Sequence, residues 1–237
     1  MKTIKKIVLV FVALLSITAM NAQEESGASL DLGLDVQSRY IWRGIQLGGN
    51  SASAQPYIEL SAGNFSVGAW GAYNLGGLGI GNEADLYMSY AFSDAFSVTV
   101  TDYFFPGEGS GGYFPYNAGH VFEAMLSYSG PIGITVATNF GGAIKYMDGL
   151  DEKSAYSTYV EASYETEIGG TPLSFAVGGV FGDDNGYYYT DGSGLINLSI
   201  GTSKEIKLSD SFSLPVNAAF TVNPDSEDVF LTFGFSL

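Results

Sequence analysis

Apolar and polar residues alternate with a period of two along most of this chain. In IGITVATNF, from Ile132 to Phe140, every second side chain shares one face, and the residues between them are small or polar. The last segment, VFLTFGFSL from Val229, follows the same pattern. A period of two predicts β-strands with two unlike faces, whereas the spacing typical of helices is hard to find.

Alternating runs and turn residues together predict twelve strands in one domain. Tight turns such as Gly63-Asn64 and Gly130-Pro131 alternate with longer polar loops such as 106–119 and 183–193. Short turns at one end and long loops at the other are typical of bacterial outer-membrane barrels. The sequence therefore predicts an all-β fold, a transmembrane antiparallel up-and-down β-barrel over residues 23–237. The predicted strands are 30–44, 54–62, 65–74, 84–93, 96–105, 120–129, 132–142, 155–167, 172–182, 194–207, 212–223 and 228–237.

The predicted outward face of these strands is uncharged. It carries residues such as Leu30, Leu32, Phe96, Ile196 and Phe220, and lipid contact requires such an apolar band. A soluble β-sandwich would also bury an apolar face, but it does not explain the unequal loops at the two ends. The opposite face is polar and mainly acidic, which predicts an aqueous lumen. The predicted lumen-lining residues are Arg39, Arg43, Asp31, Asp35, Glu59, Trp70, Asp85, Tyr87, Glu123 and Glu161.

Two arginines in the segment SRYIWRGIQ are unusual among residues that favour strands. If the first strand runs over 30–44, Arg39 and Arg43 lie on the lumen side. Tyr40 and Trp42 then face outward, at the level where aromatic residues border the membrane. The sequence thus predicts a basic stripe inside the barrel.

The chain as a whole is acidic, with 25 acidic residues, nine basic ones and a formal net charge of −16. Phosphate repels such a surface, so nucleic acid is not expected as a partner. Buried charge needs a partner or water. We therefore expect Arg39 and Arg43 to pair with neighbouring carboxylates, first of all Glu59 and Asp85.

The first 22 residues predict a secretory signal peptide. Three lysines precede the apolar run Ile7 to Ile17, and Ala22 offers a small residue for cleavage. The run is shorter than the roughly 20 apolar residues that a membrane-spanning helix needs. Export would place the mature chain in the bacterial outer membrane, surrounded by its lipid. The chain has no cysteine, so no disulfide framework is expected.

Four short motifs follow one another in the first third of the mature chain. They are Tyr40 with Trp42-Arg43-Gly44-Ile45, then Gln55-Pro56, then Gly68-Ala69-Trp70-Gly71 followed by Asn74, then Glu83-Ala84-Asp85-Leu86-Tyr87. In this order they resemble the start of the TorF-type porins, also called the Gcw_chp family. The resemblance implies an outer-membrane barrel of porin type. The end of the chain, FLTFGFSL, looks like the closing strand that the barrel assembly machinery recognises.

Candidate catalytic and metal-binding residues are few. The only histidine, His120, borders a long loop and is expected to be a surface residue, so no enzyme activity is predicted. The loop FGDDNGYYYTDGSG, with Asp183, lacks the spacing of known calcium loops and is expected to be solvated, so no metal or cofactor is predicted. The aromatic residues in 113–116 and 187–189 either gather sugars or partners, or pack the loops over the barrel mouth.

These features predict a porin-like barrel, a diffusion channel for small polar or cationic solutes. Carboxylates in a lumen favour cations over anions, and a small barrel leaves a narrow passage because side chains fill much of its bore. The alternative is a closed outer-membrane barrel that acts through its surface loops as a binding or structural protein. The two functions differ in whether the lumen conducts ions.

Overall fold

Twelve antiparallel strands close into a barrel in the computed structural model, which describes residues 27–76, 81–106, 112–114, 119–142 and 144–237. The strands of this part of the chain are β1 (Ala28–Gln37), β2 (Tyr40–Trp42), β3 (Ile45–Leu47), β4 (Ser53–Ala62), β5 (Phe65–Asn74), β6 (Glu83–Ala91), β7 (Phe96–Phe104), β8 (His120–Tyr128), β9 (Gly133–Gly142), β10 (Lys145–Asp148), β11 (Asp151–Ser154), β12 (Thr158–Ile168), β13 (Thr171–Asp183), β14 (Gly192–Lys207), β15 (Ser213–Asn223) and β16 (Asp228–Ser236). The order around the barrel is β1-β16-β15-β14-β13-β12-β9-β8-β7-β6-β5-β4. No helix within the described residues is long and apolar enough to cross a membrane.

The predicted number of barrel strands is confirmed, and neighbours in sequence are neighbours in the wall. Closure joins the first and last strands, with Asp35 opposite Ser236 and Val36 opposite Phe235. The remaining four strands form two hairpins, β2–β3 and β10–β11, inside long connections. The predicted signal peptide, residues 1–22, lies outside the described residues.

The outer face of the barrel is apolar, as the alternation predicted. Leu32, for example, exposes 66% of its surface, while its neighbours Asp31 and Gly33 belong to the inner face. Within the wall strands, the outward prediction for Ile196 is wrong, because this residue is fully buried. A register shift pairs Gly178 with Asn197 and Gly179 with Leu195, which leaves Ile196 as the extra residue of a β-bulge that turns inward.

The predicted first strand, 30–44, is also wrong. Strand β1 ends at Gln37, and the chain then reverses within the tight hairpin β2–β3. Arg43 and Gly44 form its two-residue turn, with φ of +50° and +80°. Positive φ at both central residues is the geometry of the type I′ turn, whose twist matches the flanking strands. The hairpin is not part of the wall; its side chains contact residues on the inner face, so it lies inside the barrel.

Candidate functional site

The β2–β3 hairpin lies in the barrel lumen, at the end with the long loops. The Tyr40 hydroxyl donates to Glu83 Oε2 over 3.0 Å, and the Tyr40 ring lies 5.5 Å from that of Trp70. Asn223 Nδ2 donates to the Gly44 carbonyl over 3.1 Å. Through these and further contacts the hairpin touches β5, β6, β7, β8, β12, β14 and β15.

Gly44 shows how closely the hairpin tip meets the wall. A Cβ atom at this position would lie 1.8 Å from the carbonyl oxygen of Ile196. Only glycine fits such an approach, and only glycine adopts its φ of +80° without strain. The bulge that turns Ile196 inward thus provides the surface on which the hairpin tip rests.

Arg43, at the tip, forms a buried ion pair in the centre of the lumen. Its Nη1 and Nη2 donate to the two carboxylate oxygens of Glu123 over 2.5 and 2.8 Å. The guanidinium carbon lies 4.5 Å from the centre of the Trp42 ring and 4.7 Å from that of Tyr159. The Arg43 and Glu123 side chains are 10% and 1% exposed. A planar guanidinium suits both contacts, the bidentate one with a carboxylate and the stacked one with aromatic rings.

Tyr188 approaches the same arginine from the loop between β13 and β14. Its hydroxyl accepts a hydrogen bond from Arg43 Nη1 over 2.5 Å, and its ring stacks on Trp42 with centroids 5.4 Å apart and planes 7° from parallel. Burial raises the pKa of the Tyr188 phenol, so the hydroxyl stays protonated and can donate to Glu123 Oε2, 3.5 Å away. Hairpin and loop therefore hold each other in place.

Asp183 organises the loop that carries Tyr188. Its carboxylate accepts from the backbone N–H groups of Tyr188 (2.9 Å) and Thr190 (3.2 Å), and from the hydroxyls of Thr190 (3.0 Å) and Ser157 (2.7 Å). The predicted solvated role of Asp183 is wrong, because the side chain is buried among these donors. Sequence patterns gave no sign of this, since an Asp beside turn residues is equally common on loop surfaces.

The arginine partners predicted from sequence are wrong. Arg43 pairs with Glu123 rather than Glu59 or Asp85, and Arg39 donates to Gln46 Oε1 over 2.8 Å. The prediction that Tyr40 and Trp42 face outward is also wrong, because both pack inside the barrel. All of these errors have one cause. Strand β1 ends at Gln37 instead of continuing to residue 44, so the side chains from there to Leu47 do not follow the alternation of the wall.

The predicted lumen carboxylates include residues at two levels along the barrel, one near the hairpin and one near the short turns. Asp85 lies near the hairpin, where its Oδ1 accepts from the Phe104 N–H over 3.3 Å, and it is opposite Trp70 in the register. Nearer the short turns, Asp31 is directly opposite Glu59.

Hydrogen bonds or strand register place three other predicted lumen residues, Asp35, Glu161 and Tyr87, on the inner face. Ser236 donates to Asp35 over 2.6 Å, and Asn197 donates to Glu161 over 2.9 Å. Strand register places Tyr87 on the same face as Glu123, because both residues are directly opposite Thr101 on β7. Arg39, in contrast, lines a cleft of about 440 Å³ beside the hairpin.

His120 is buried, so the prediction that it is a surface residue is wrong. Its Nδ1 lies 2.7 Å from Asp102 Oδ1, and its Nε2 lies 3.0 Å from the Tyr113 carbonyl oxygen. In the register His120 is opposite Phe104 on β7. Among the residues that the structure describes, no group of three or more His, Asp or Glu side chains could hold a metal ion. Tyr116, one of the predicted loop aromatics, lies outside those residues.

Family comparison supports the resemblance found in the sequence. The family described as "Bacterial protein of unknown function (Gcw_chp)" matches residues 21–229. The chain belongs to this family. The porin activity that the resemblance implied stays a prediction, because the Gcw_chp description assigns no function.

Two further comparisons add little about function. No curated protein matches the chain significantly. A solved structure, Wzi of Escherichia coli, is described as an outer-membrane protein involved in group 1 capsule assembly and a carbohydrate-binding β-barrel. It is 8% identical to this chain with a TM-score of 0.37, and the match covers 88% of this chain and 56% of Wzi. With so low an identity and TM-score, the likeness to Wzi supports no statement about the function of this chain.

Proposed function

We propose that this Gcw_chp protein is an outer-membrane β-barrel that forms a gated passage for small polar and cationic solutes. The observation that carries the proposal is the Tyr40–Leu47 hairpin, which lies across the lumen with Arg43 bound to Glu123. This hairpin is part of a connection between two wall strands and is held by an ion pair, hydrogen bonds and ring contacts. Because neither of its strands pairs with a wall strand, its departure from the lumen would leave the pairing of β1 with β4 intact.

The apolar outer face supports a location in the outer membrane. Closed barrels satisfy all backbone hydrogen bonds within the wall, which is the condition for crossing lipid with strands. A soluble protein would not keep so large a continuous apolar surface in water. The final strand, β16, closes the barrel against β1 and is the segment that the assembly machinery would recognise. The exposed apolar residues of the wall include Leu30, Leu32, Leu86, Leu126, Phe175, Phe220 and Leu231.

The acidic lumen near the short turns supports passage of cations. Asp31 and Glu59 are directly opposite each other, and like charges at such positions destabilise a sheet. A wall with a purely structural role would gain nothing from this pair. Carboxylates that line a hydrated path, in contrast, attract cations and repel anions.

The test is the conductance of the purified protein in planar lipid bilayers. Replacement of residues 40–47 by a short Gly/Ser linker should give a steady, cation-selective current, whereas the wild type should open only rarely. A Gly/Ser replacement of the exposed β10–β11 hairpin, residues 145–154, controls for loop shortening. A folded variant without the β2–β3 hairpin that passes no current, or prefers anions, would refute the proposal.

The second candidate is a closed barrel that acts at its loop end, and the many wall contacts of the hairpin favour it. It predicts that both hairpin replacements stay electrically silent. We propose no catalytic role in either case, because both ring nitrogens of His120 are already engaged by Asp102 and the Tyr113 carbonyl.

A further inference from the structure

A second cleft, of about 580 Å³, opens at the loop end on the other side of the hairpin. Aromatic side chains line it, including Trp42, Phe105 and Tyr187, together with the side-chain amides of Gln46 and Asn82. Ligand sites commonly combine apolar rings with a few polar groups that fix orientation. Rings beside amides suit a sugar, whose C–H face packs on a ring while its hydroxyls bond to the amides.

The Tyr187 hydroxyl is buried and has no hydrogen-bond partner among the described residues. Burial first, and then nearby groups that include Glu83, raise the pKa of this phenol, so it remains a donor. A buried donor left without an acceptor destabilises a protein by about 1–3 kcal/mol. Because this oxygen is buried, a ligand in the cleft does not reach it, and Tyr187 meets such a ligand only through its other atoms.

Tyr189 stands at the rim of the cleft in a strained conformation. Its φ is +60°, in the left-handed region, and 73% of the residue is exposed. It also lines the adjoining cleft of about 440 Å³ beside Arg39. Here it presents an aromatic ring to the exterior between two clefts.

The charge of the lining determines the kind of ligand. The part of the cleft that the structure describes is lined by one carboxylate, Glu83, and by no lysine or arginine. The whole chain is also strongly acidic, so an anionic ligand would be repelled.

We infer that the cleft binds a neutral oligosaccharide, with Tyr189 as the stacking surface. The site depends on loop and hairpin residues rather than on conduction. Binding can therefore fail while conductance succeeds, and the reverse, so the two proposals are tested separately.

Tryptophan fluorescence can report on the cleft directly, because the chain has two tryptophans and one of them, Trp42, lines it. In a Trp70→Phe background, detergent-solubilised full-length protein is titrated with maltohexaose and with cellohexaose. We expect a saturable change in Trp42 emission. Tyr189→Ala should weaken binding about tenfold through lost ring contact, whereas Tyr187→Phe, which removes only a buried hydroxyl, should leave binding unchanged.

Tyr156→Ala is the matched control, since Tyr156 is another loop tyrosine with positive φ (+56°) and 53% exposure. It does not line the described part of the cleft, so binding should be unchanged. Heat-modifiable migration on electrophoresis checks that each variant is folded.

A parallel titration with vesicles carrying smooth or rough lipopolysaccharide distinguishes a soluble sugar from a membrane-borne one. A response to a hexaose, or to smooth but not rough lipopolysaccharide, that Tyr189→Ala weakens and Tyr156→Ala does not would support the site, whereas an equal response to rough lipopolysaccharide, whose exposed core is anionic, would overturn it. No response to any of these sugars, or a response that Tyr189→Ala leaves unchanged, would overturn it.

Discussion

The Arg43–Glu123 pair should control how long the lumen stays closed. Glu123→Gln keeps the size and shape of the side chain but leaves the buried Arg43 without its countercharge. Removal of one partner of a buried pair typically destabilises the paired state by roughly 3–5 kcal/mol. The hydrogen bond to Tyr188 and the rings of Trp42 and Tyr159 remain. We therefore expect a destabilisation at the lower end of this range, about 3 kcal/mol. At about 1.4 kcal/mol per factor of ten, the ratio of closed to open hairpin should fall roughly hundredfold.

Single-channel recording in planar bilayers measures this ratio as open probability. Glu59→Gln is the control, because Glu59 is a lumen carboxylate whose hydrogen-bond donor is Ser61 rather than any hairpin residue. It should alter ion selectivity but not open probability. The reasoning would be refuted if folded Glu123→Gln opened no more often than the wild type, or if Glu59→Gln opened equally often.

Three further predictions test the contact between the hairpin tip and Ile196, the loop that carries Tyr188, and the lipid-facing side of the wall. Gly44→Ala should raise open probability at least as much as Glu123→Gln, because its Cβ would meet the Ile196 carbonyl. Gly49 also has a positive φ, +70°, but open space around it, so the control Gly49→Ala should not raise open probability. Asp183→Ala strips the acceptor from two backbone N–H groups and should lower the free energy of unfolding by about 3 kcal/mol, measured by urea titration. Leu32→Lys should destabilise the barrel in lipid vesicles by about 2–4 kcal/mol, and Asp31→Lys by much less, in reversible folding experiments; equal effects would mean that Leu32 does not face lipid.

Strand number and wall orientation could be predicted because they depend on local information. Each strand repeats its own period of two, and each tight turn is marked by residues such as Gly63-Asn64. Within the wall strands themselves, errors of a few residues at the ends do not change which side chains face out, although residues beyond the true end of β1, such as Tyr40 and Trp42, were placed on the wrong side. Within the wall strands Ile196 is the exception, since a bulge adds one residue and reverses the face without any change in composition.

The site could not be predicted in the same way. Glu123 was assigned to the lumen from alternation alone, but its pairing with Arg43, 80 residues earlier in the chain, depends on where the hairpin lies. The signal for the hairpin was present in Arg43-Gly44, between two short apolar runs, and could have been recognised as a two-residue turn. Nothing local indicated that this turn would point into the barrel rather than into solvent.

By itself the sequence determined a twelve-stranded antiparallel wall with an apolar outer face and an acidic inner one, because alternation is a property of each strand alone. Only the tertiary structure decided what occupies the interior. The hairpin lies there because ring closure brings Glu123, Tyr159 and Tyr188 around a single point, and at that point the Arg43 charge is neutralised and its guanidinium is packed between rings.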